Sequence, residues 1–410
     1  MIYFTLLMLV LAITAICRGP VLKHLSVPWF FIGWLPGELP WLFAALQIFG
    51  TVIFFLLADS IGIKEIVAVS IAAVTLLVWF NLHAKTWRAG AVFNTALRDL
   101  HGEKHELRSA KNAGIASPPV IHKRNWLRPF HYKREGVERI KNISYGNLSR
   151  NKLDIYRKAG ADSTTARSPV LLHVHGGAWA IGHKHQQALP LINYLAQNGW
   201  ICVDINYRLA PKHPYPACLI DIKKAIVWIK ENIGHYGGNP DFIAITGESA
   251  GGHLCALAAL TCNNPQFQPG FETSDTQVQA AIPVYGVYDF TNHQRDGSLM
   301  QKFLEKYVMP QPFANDIEGW KNASPVFQIN NPNLPIFVIH GDKDCVVPVE
   351  QARDFVRQLK QRNKAITLYA EIPGAQHGFD IFHSVRTEFH VEAIGTFLHH
   401  CFSTDPLNKN

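Results

Sequence analysis

Ser249 stands in a pattern of residue types that suits a catalytic serine. The segment Gly247-Glu248-Ser249-Ala250-Gly251 follows an apolar run at 242–246 and precedes an Ala-rich segment. A strand, a tight turn and a helix in that order form a nucleophile elbow, which lifts the serine hydroxyl above the carboxyl edge of a sheet. The N-terminus of the helix stabilises negative charge that develops beside it. The sequence therefore predicts covalent catalysis through Ser249.

A second small-residue segment is expected to supply the oxyanion hole. Gly176, Gly177 and Ala178 follow an apolar run at 170–174. Backbone N–H groups at such residues can point at one spot, because no large side chain blocks the approach. Together with the N–H of Ala250, they would stabilise the oxyanion of a tetrahedral intermediate. The sequence does not indicate which of the amides of Gly176, Gly177 and Ala178 contribute.

A serine nucleophile needs a base and an acid, which follow it along the chain in this type of fold. His377 lies in a Gly-flanked loop directly after an apolar run at 366–372, which is where the base is expected. Asp342 and Asp344 both follow the run 336–339. Asp344, which lies farther out and beside apolar residues, is predicted as the acid that orients His377, and Asp342 as a cap of the turn.

The elements that must position these residues alternate between strand and helix. Apolar runs typical of strands occur at 140–145, 153–157, 170–174, 200–207, 242–246, 280–285, 336–339 and 366–372. Helical periodicity occurs at 186–197, 217–233, 250–261, 349–362 and 385–401. This alternation predicts an α/β fold with a mostly parallel, doubly wound sheet. We assign it to a catalytic domain at 139–402, followed by a polar tail at 403–410.

Taken together, these motifs resemble the hormone-sensitive-lipase-like group of α/β-hydrolases. The resemblance covers residues 175–179, 206–211, 247–252, 340–344 and 377–379, and so spans roughly residues 140 to 402. It implies a carboxylic ester hydrolase with Ser249 as nucleophile, Asp344 as acid, His377 as base and no cofactor. Two departures are the Ala at position 178, where the group usually has a third Gly, and the Cys345-Val346 that follows Asp344 in place of Pro-Leu.

The substrate follows less directly from the sequence. Residues 289–326 are expected to form part of a cap, whose apolar residues could line an acyl pocket or form the core of the cap: Phe303, Leu304, Tyr307, Val308 and Trp320. A small-molecule ester with a short to medium acyl chain, or a lipid-like ester, is the expected substrate. An amide deacetylase or an acyltransferase would use the same acyl-enzyme, and a non-catalytic scaffold is the remaining alternative.

The chain begins with apolar segments that suit a membrane anchor. Runs at 2–17, 41–58 and 66–82 carry no charged side chain and approach the length of about 17 to 25 residues that spans a bilayer. Three such runs so close together predict an anchor of three transmembrane helices at 1–84, and hence a multi-pass membrane protein. An aromatic and Pro-rich segment at 28–40 suits the membrane interface or a re-entrant segment.

The positive charge is concentrated directly after this anchor. Between residues 85 and 141 the chain has thirteen Lys or Arg and five Asp or Glu, which accounts for the whole net charge of +8. The positive-inside rule therefore predicts that the catalytic domain is cytoplasmic. The connector at 85–138 would face anionic headgroups, and its periodic part at 90–107 forms an amphipathic helix on lipid or on the catalytic domain. No recognised nucleic-acid module accompanies the charge, so nucleic acid is not an expected partner.

Composition excludes several other classes of protein. Hydrophobic residues make up 48% and charged residues 17% of the chain, whereas about 25% charge is average, so intrinsic disorder is excluded. The seven Cys are scattered without a CxxC pair, which is typical of free thiols in a reducing compartment. His173 and His175 lie two apart on one strand face, but zinc needs more ligands and prefers other spacings, so no metal is expected. Nothing in the sequence indicates an oligomeric state.

Overall fold

The computed structural model describes residues 1–17, 19–20, 23–58, 60, 62–98, 100, 123–160, 167–291, 298–330 and 332–406. Parts of four predicted segments lie outside the described residues. They are a few positions of the predicted anchor, residues 99 and 101–122 of the connector, residues 161–166, 292–297 and 331 of the predicted catalytic domain with its cap, and the end of the tail at 407–410.

The N-terminal region consists mostly of helices within its described residues. Its helices are α1 (Ile2–Ile16), α2 (Ser26–Glu38), α3 (Pro40–Leu57), α4 (Ile63–Thr86), α5 (Arg88–Arg98) and the short α6 (Lys123–Trp126). Pro40 begins α3, where its missing N–H needs no partner. Small and apolar side chains of α1, α3 and α4, among them Ala12, Ala44 and Trp79, form a shared buried cluster that holds these helices together.

Two stretches of helix in the described residues are long and apolar enough to cross a membrane. They are Pro40–Leu57 and the continuous stretch Ile63–Arg98, each with an 18-residue window of mean hydropathy 2.0. Buried core helices and signal sequences can have the same length and apolar composition. The first predicted span corresponds to α1, whose 15 residues rise only about 22 Å against a hydrocarbon thickness of about 30 Å.

An eight-stranded sheet forms the centre of the remaining chain, with strand order β1-β2-β4-β3-β5-β6-β7-β8. The strands are β1 (Val137–Ser144), β2 (Lys152–Lys158), β3 (Ser168–Val174), β4 (Ile201–Ile205), β5 (Gly238–Glu248), β6 (Ala280–Val284), β7 (Ile336–Gly341) and β8 (Thr367–Ile372). Among the strands of the described residues, only the β1–β2 and β2–β4 pairs are antiparallel. The predicted mostly parallel sheet is therefore confirmed, and the carboxyl ends of its parallel strands meet at one edge.

Helices cover both faces of this sheet. The α-helices that follow the N-terminal region are α7 (Leu189–Gln197), α8 (Ala217–Asn232), α9 (Ala250–Leu260), α10 (Ser298–Phe303), α11 (Ile317–Asn322), α12 (Glu350–Arg362) and α13 (Val385–Thr404). Helices α8, α9 and α12 pack on one face, and α5, α7 and α13 pack on the other. Helix α7 begins at Leu189 rather than at the predicted 186, because Ala188 has a left-handed φ of 51°.

Helix α5 shows whether the predicted amphipathic helix at 90–107 lies on lipid or on the catalytic domain. Its Phe93 is buried in the core and meets the rings of Phe337 on β7 and His390 on α13, with centroids 6.4 and 6.1 Å apart. Gly90 lies so close to α13 that a Cβ there would be 2.6 Å from the ring of Phe389. The described part of the amphipathic helix therefore covers the catalytic sheet.

Candidate active site

Ser249 occupies a sharp turn between β5 and α9. Its backbone has φ 58° and ψ −118°, a conformation that a non-glycine residue adopts only where the surroundings enforce it. The flanking glycines allow the turn to form, because a Cβ on Gly247 or Gly251 would lie 2.5 or 2.0 Å from the carbonyl oxygen of Val174. The backbone N–H of Ser249 donates to the carbonyl of Val284 at 3.0 Å. This geometry directs the hydroxyl away from the strand that precedes it.

His377 lies on the loop after β8 and connects Ser249 with Asp344. Its Nε2 is 2.8 Å from Ser249 Oγ, and its Nδ1 is 2.6 Å from Asp344 Oδ2. The side chain of His377 is 10% exposed, so the imidazole is largely shielded but still reachable. The structure thus brings the three residues named from the sequence into one hydrogen-bonded line. Such a line can remove the serine proton and hold the imidazolium that results.

The two aspartates of the β7 loop have different contacts. Asp344 accepts hydrogen bonds from the amides of Val346 and Val347 at 2.9 and 2.8 Å, in addition to its contact with His377. Burial alone would raise the pKa of Asp344, but the neighbouring His377 and His340 hold that pKa well below its usual range. Asp342 instead accepts from the amide of Gly374 at 2.6 Å and so joins the β7 loop to the start of the His377 loop.

The Gly-rich loop after β3 lies directly against the serine turn. A Cβ on Gly176 would lie 3.1 Å from the Cβ of Ser249. The amide of Gly176, however, already donates to Gln187 Oε1 at 2.6 Å. Among the described residues, the amides of Gly177, Ala178 and Ala250 have no hydrogen-bond partner. Gly177 and Ala178 both have positive φ values, 120° and 51°, which turn this loop back toward the serine.

A buried charge cluster that no sequence motif indicated lies beneath the serine. His173 Nδ1 is 2.7 Å from Asp204 Oδ1, and His173 Nε2 is 2.7 Å from Glu248 Oε2, with all three side chains buried. Burial by itself lowers the pKa of an imidazole, but Glu248 and Asp204 outweigh it and raise the pKa of His173 to about 10. His173 is therefore an imidazolium that holds the residue preceding the nucleophile. The His-x-His pattern at 173–175 gave no indication of these carboxylates, which come from two other strands.

The expected cap residues pack mainly as core. Leu304, Val308 and Trp320 belong to the large buried cluster on one face of the sheet, and Phe303 and Tyr307 pack against it. The cap is joined to the serine helix through His253, whose Nε2 lies 2.7 Å from the carbonyl oxygen of Ala323. This arrangement favours a role in the core of the cap over a role in lining an acyl pocket.

Helix α2 contributes contacts to the site that no sequence pattern indicated. The indole N–H of Trp34 donates to the carbonyl of Gly378 at 2.7 Å. The ring of Phe30 lies 6.0 Å from the His377 ring in an edge-to-face arrangement. The aromatic segment that suited a membrane interface therefore reaches the loop that carries His377.

A mostly parallel sheet with a strained serine turn after β5, and with a histidine and an acid on the loops after β8 and β7, defines an α/β-hydrolase. The BD-FAE family model matches residues 153–359. The probable carboxylic ester hydrolase LipM of Mycobacterium tuberculosis is 43% identical over 92% of this chain and 87% of its own length. The esterase LipQ of the same organism is also 43% identical, over 75% of this chain and 71% of its own length.

A solved structure supports the same fold. Esterase B from Lactobacillus rhamnosis aligns with a TM-score of 0.57 at 19% identity and covers 80% of this chain and 100% of its own. The chain therefore belongs to the BD-FAE family of α/β-hydrolases and is a carboxylic ester hydrolase. The expected kinship with hormone-sensitive-lipase-like enzymes is confirmed.

Proposed function

We propose that this protein is a membrane-anchored serine hydrolase that cleaves carboxylic esters through an acyl-enzyme on Ser249, His377 and Asp344. The observation that carries the proposal is the hydrogen-bonded line from Ser249 Oγ through His377 to Asp344, with separations of 2.8 and 2.6 Å. The left-handed backbone at Ser249 supports it, because a side chain is held there only by an enforcing environment.

In the acylation step, Ser249 Oγ attacks the ester carbonyl carbon while His377 Nε2 accepts the hydroxyl proton. Asp344 keeps the Nδ1 proton of His377 in place and stabilises the imidazolium. The carbonyl oxygen becomes an oxyanion, for which the amides of Gly177, Ala178 and Ala250 are available. Gly176 is not assigned this role, since its amide is already hydrogen-bonded to Gln187.

Departure of the alcohol completes acylation, and hydrolysis of the acyl-enzyme follows. The imidazolium of His377 gives its proton to the departing alkoxide, which leaves as an alcohol. A water molecule then loses a proton to His377 Nε2 and attacks the acyl carbon. The C–O bond to Ser249 breaks as His377 returns that proton to Ser249 Oγ. The products are a carboxylic acid and the free enzyme, and no cofactor is needed to balance the reaction.

The membrane part of the proposal assigns residues 1–84 as the anchor and 139–402 as the catalytic domain. Helix α2 contacts the His377 loop and helix α5 contacts the catalytic sheet, so the chain between them begins and ends beside the catalytic domain. The α3–α4 hairpin would then cross the bilayer and return, with the basic stretch on the side of the catalytic domain. By the positive-inside rule that side is cytoplasmic. Such a site would suit short to medium acyl esters or lipid-like esters.

Turnover of a chain-length series of p-nitrophenyl acyl esters tests the proposal. Wild type should hydrolyse at least part of the series, and Ser249→Ala should lower kcat by about 10⁴-fold or more. Ser403→Ala, at an exposed serine on α13, is the control and should retain full activity. Near-normal turnover by Ser249→Ala would refute the proposal.

A further inference from the structure

Helix α2 is fixed at both ends to the two loops that carry His377 and Asp344. At its start, the thiol of Cys345, the residue after Asp344, donates to the carbonyl of Ser26 at 3.4 Å. At its end, Glu38 forms an ion pair of 2.9 Å with Arg386, and both side chains are almost fully buried. Arg386 also donates to the carbonyl of Gly37 at 3.0 Å and to that of Pro373 at 3.2 Å. The end of α2 is thus joined to the beginning of the His377 loop.

Between these ends, α2 lies against the part of the loop next to His377. The Trp34 indole N–H donates to the carbonyl of Gly378 at 2.7 Å, while the Trp34 ring packs on Phe382 at a centroid distance of 5.0 Å. Phe30 is 9% exposed and presents its ring nearly perpendicular to that of His377. Gly378 has a left-handed φ of 68°, so this peptide has more conformational freedom than its neighbours.

We infer that Trp34 is a positioning residue for His377, and that it acts by holding the Gly378 carbonyl. The inference rests on the proposed role of His377 as the base. The carbonyl that Trp34 holds belongs to Gly378, the residue after His377. Without this hydrogen bond, Gly378 could shift and displace the neighbouring backbone that carries the imidazole relative to Ser249 Oγ. Displacing a catalytic group by about 1 Å can cost about 10²-fold in rate. A residue of the N-terminal region therefore takes part in setting the catalytic geometry.

The test compares Trp34→Phe with Trp29→Phe in the full-length protein. Both substitutions lie in α2 and remove an indole N–H, but within the described part of the chain Trp29 Nε1 has no hydrogen-bond partner. Trp34→Phe should lower kcat for a p-nitrophenyl ester by about 10-fold with little change in KM, as expected for loss of one hydrogen bond. The rate of Ser249 modification by a fluorophosphonate should fall by a similar factor. Trp29→Phe should match wild type in both measurements.

A second variant separates the hydrogen bond from the packing. Replacing Trp34 by β-(3-benzothienyl)alanine exchanges the N–H for sulfur at nearly constant shape, so it should fold with an unchanged melting temperature and still show the lower kcat and labelling rate. Equal kcat and labelling rates for this variant and wild type would overturn the inference. Failure of the proposed function is distinguishable, because the wild-type protein itself would then show no labelling of Ser249.

Discussion

Large apolar side chains are buried in the central sheet but exposed on the N-terminal helices α3 and α4. In the sheet, Leu171, Ile243 and Phe337 are completely buried. On α3 and α4, Leu57 is 77% exposed and Leu77 is 70% exposed. Exposed apolar surface on this scale is unusual for a monomer in water, whereas hydrocarbon favours it. Burial away from water therefore stabilises the catalytic domain, whereas α3 and α4 leave large apolar side chains exposed.

The polar groups differ between the two regions in the same way. Between α3 and α4, Gln47 donates to the carbonyl of Ala72 at 2.8 Å and accepts from the indole of Trp79 at 2.9 Å, so neutral groups satisfy one another. Beneath Ser249 the buried partners are charged, with His173 between Asp204 and Glu248. Neutral networks suit a membrane interior, where charges are costly, and paired charges suit a site that must be held rigidly.

The largest effect should come from the acid in the catalytic unit. Asp344→Asn removes the charge that orients His377 and should lower kcat by about 10⁴-fold. Asp342→Asn, two residues away on the same loop, keeps an oxygen that can accept from the Gly374 amide and should cost less than about 10-fold. Ester turnover of the two purified variants checks this difference, and membrane attachment should be normal in both. A larger loss in Asp342→Asn would exchange the roles of the two aspartates.

The next effect concerns the apolar surface of the helices. Phe49 is 66% exposed near the middle of α3, where a Lys would cost about 3 kcal/mol in a bilayer. Phe49→Lys should therefore reduce the fraction of protein that resists carbonate extraction from membranes. Leu148→Lys, at an exposed site on the turn between β1 and β2, should change nothing, because that side chain faces water. Equal behaviour of the two variants would place α3 outside the lipid.

The smallest effect is the pH dependence that His173 gives to stability. Because its pKa rises from 6.5 to about 10 in the folded protein, the stabilisation is complete below about pH 6.5 and is lost as the pH rises toward 10. The melting temperature should fall by about 10 °C across that interval. In Glu248→Gln, which keeps Asp204 as the carboxylate facing His173, the fall should begin at lower pH. Identical pH profiles for the two proteins would show that Glu248 does not sustain this charge.

Much of the fold and the positions of the candidate site could be predicted from the sequence. Local patterns carry that information, because the strand, the glycines and Ser249 lie within a dozen residues of one another. The choice of Asp344 over Asp342 needed geometry to support it, since both residues lie on one short loop. In the structure only Asp344 faces the His377 imidazole, at 2.6 Å.

Other features depend on contacts between distant parts of the chain. Trp34 and Gly378 are 344 positions apart, and no periodicity relates them. The partners of His173 come from β4 and β5, which are distant in the sequence. A metal site was therefore the only role that the sequence pattern around His173 raised, and no metal was expected there. The amphipathic pattern near Phe93 indicated burial of one face but not what would cover it. These are packing relations, which depend on the whole fold rather than on a local segment.

The most direct test of the central claim is to label the full-length, membrane-reconstituted protein with a fluorophosphonate and to map the adduct by peptide mass spectrometry. We expect a single adduct on Ser249, formed in proportion to the loss of ester hydrolysis. An adduct on another residue, or an active enzyme that loses no activity and gains no adduct, would contradict it.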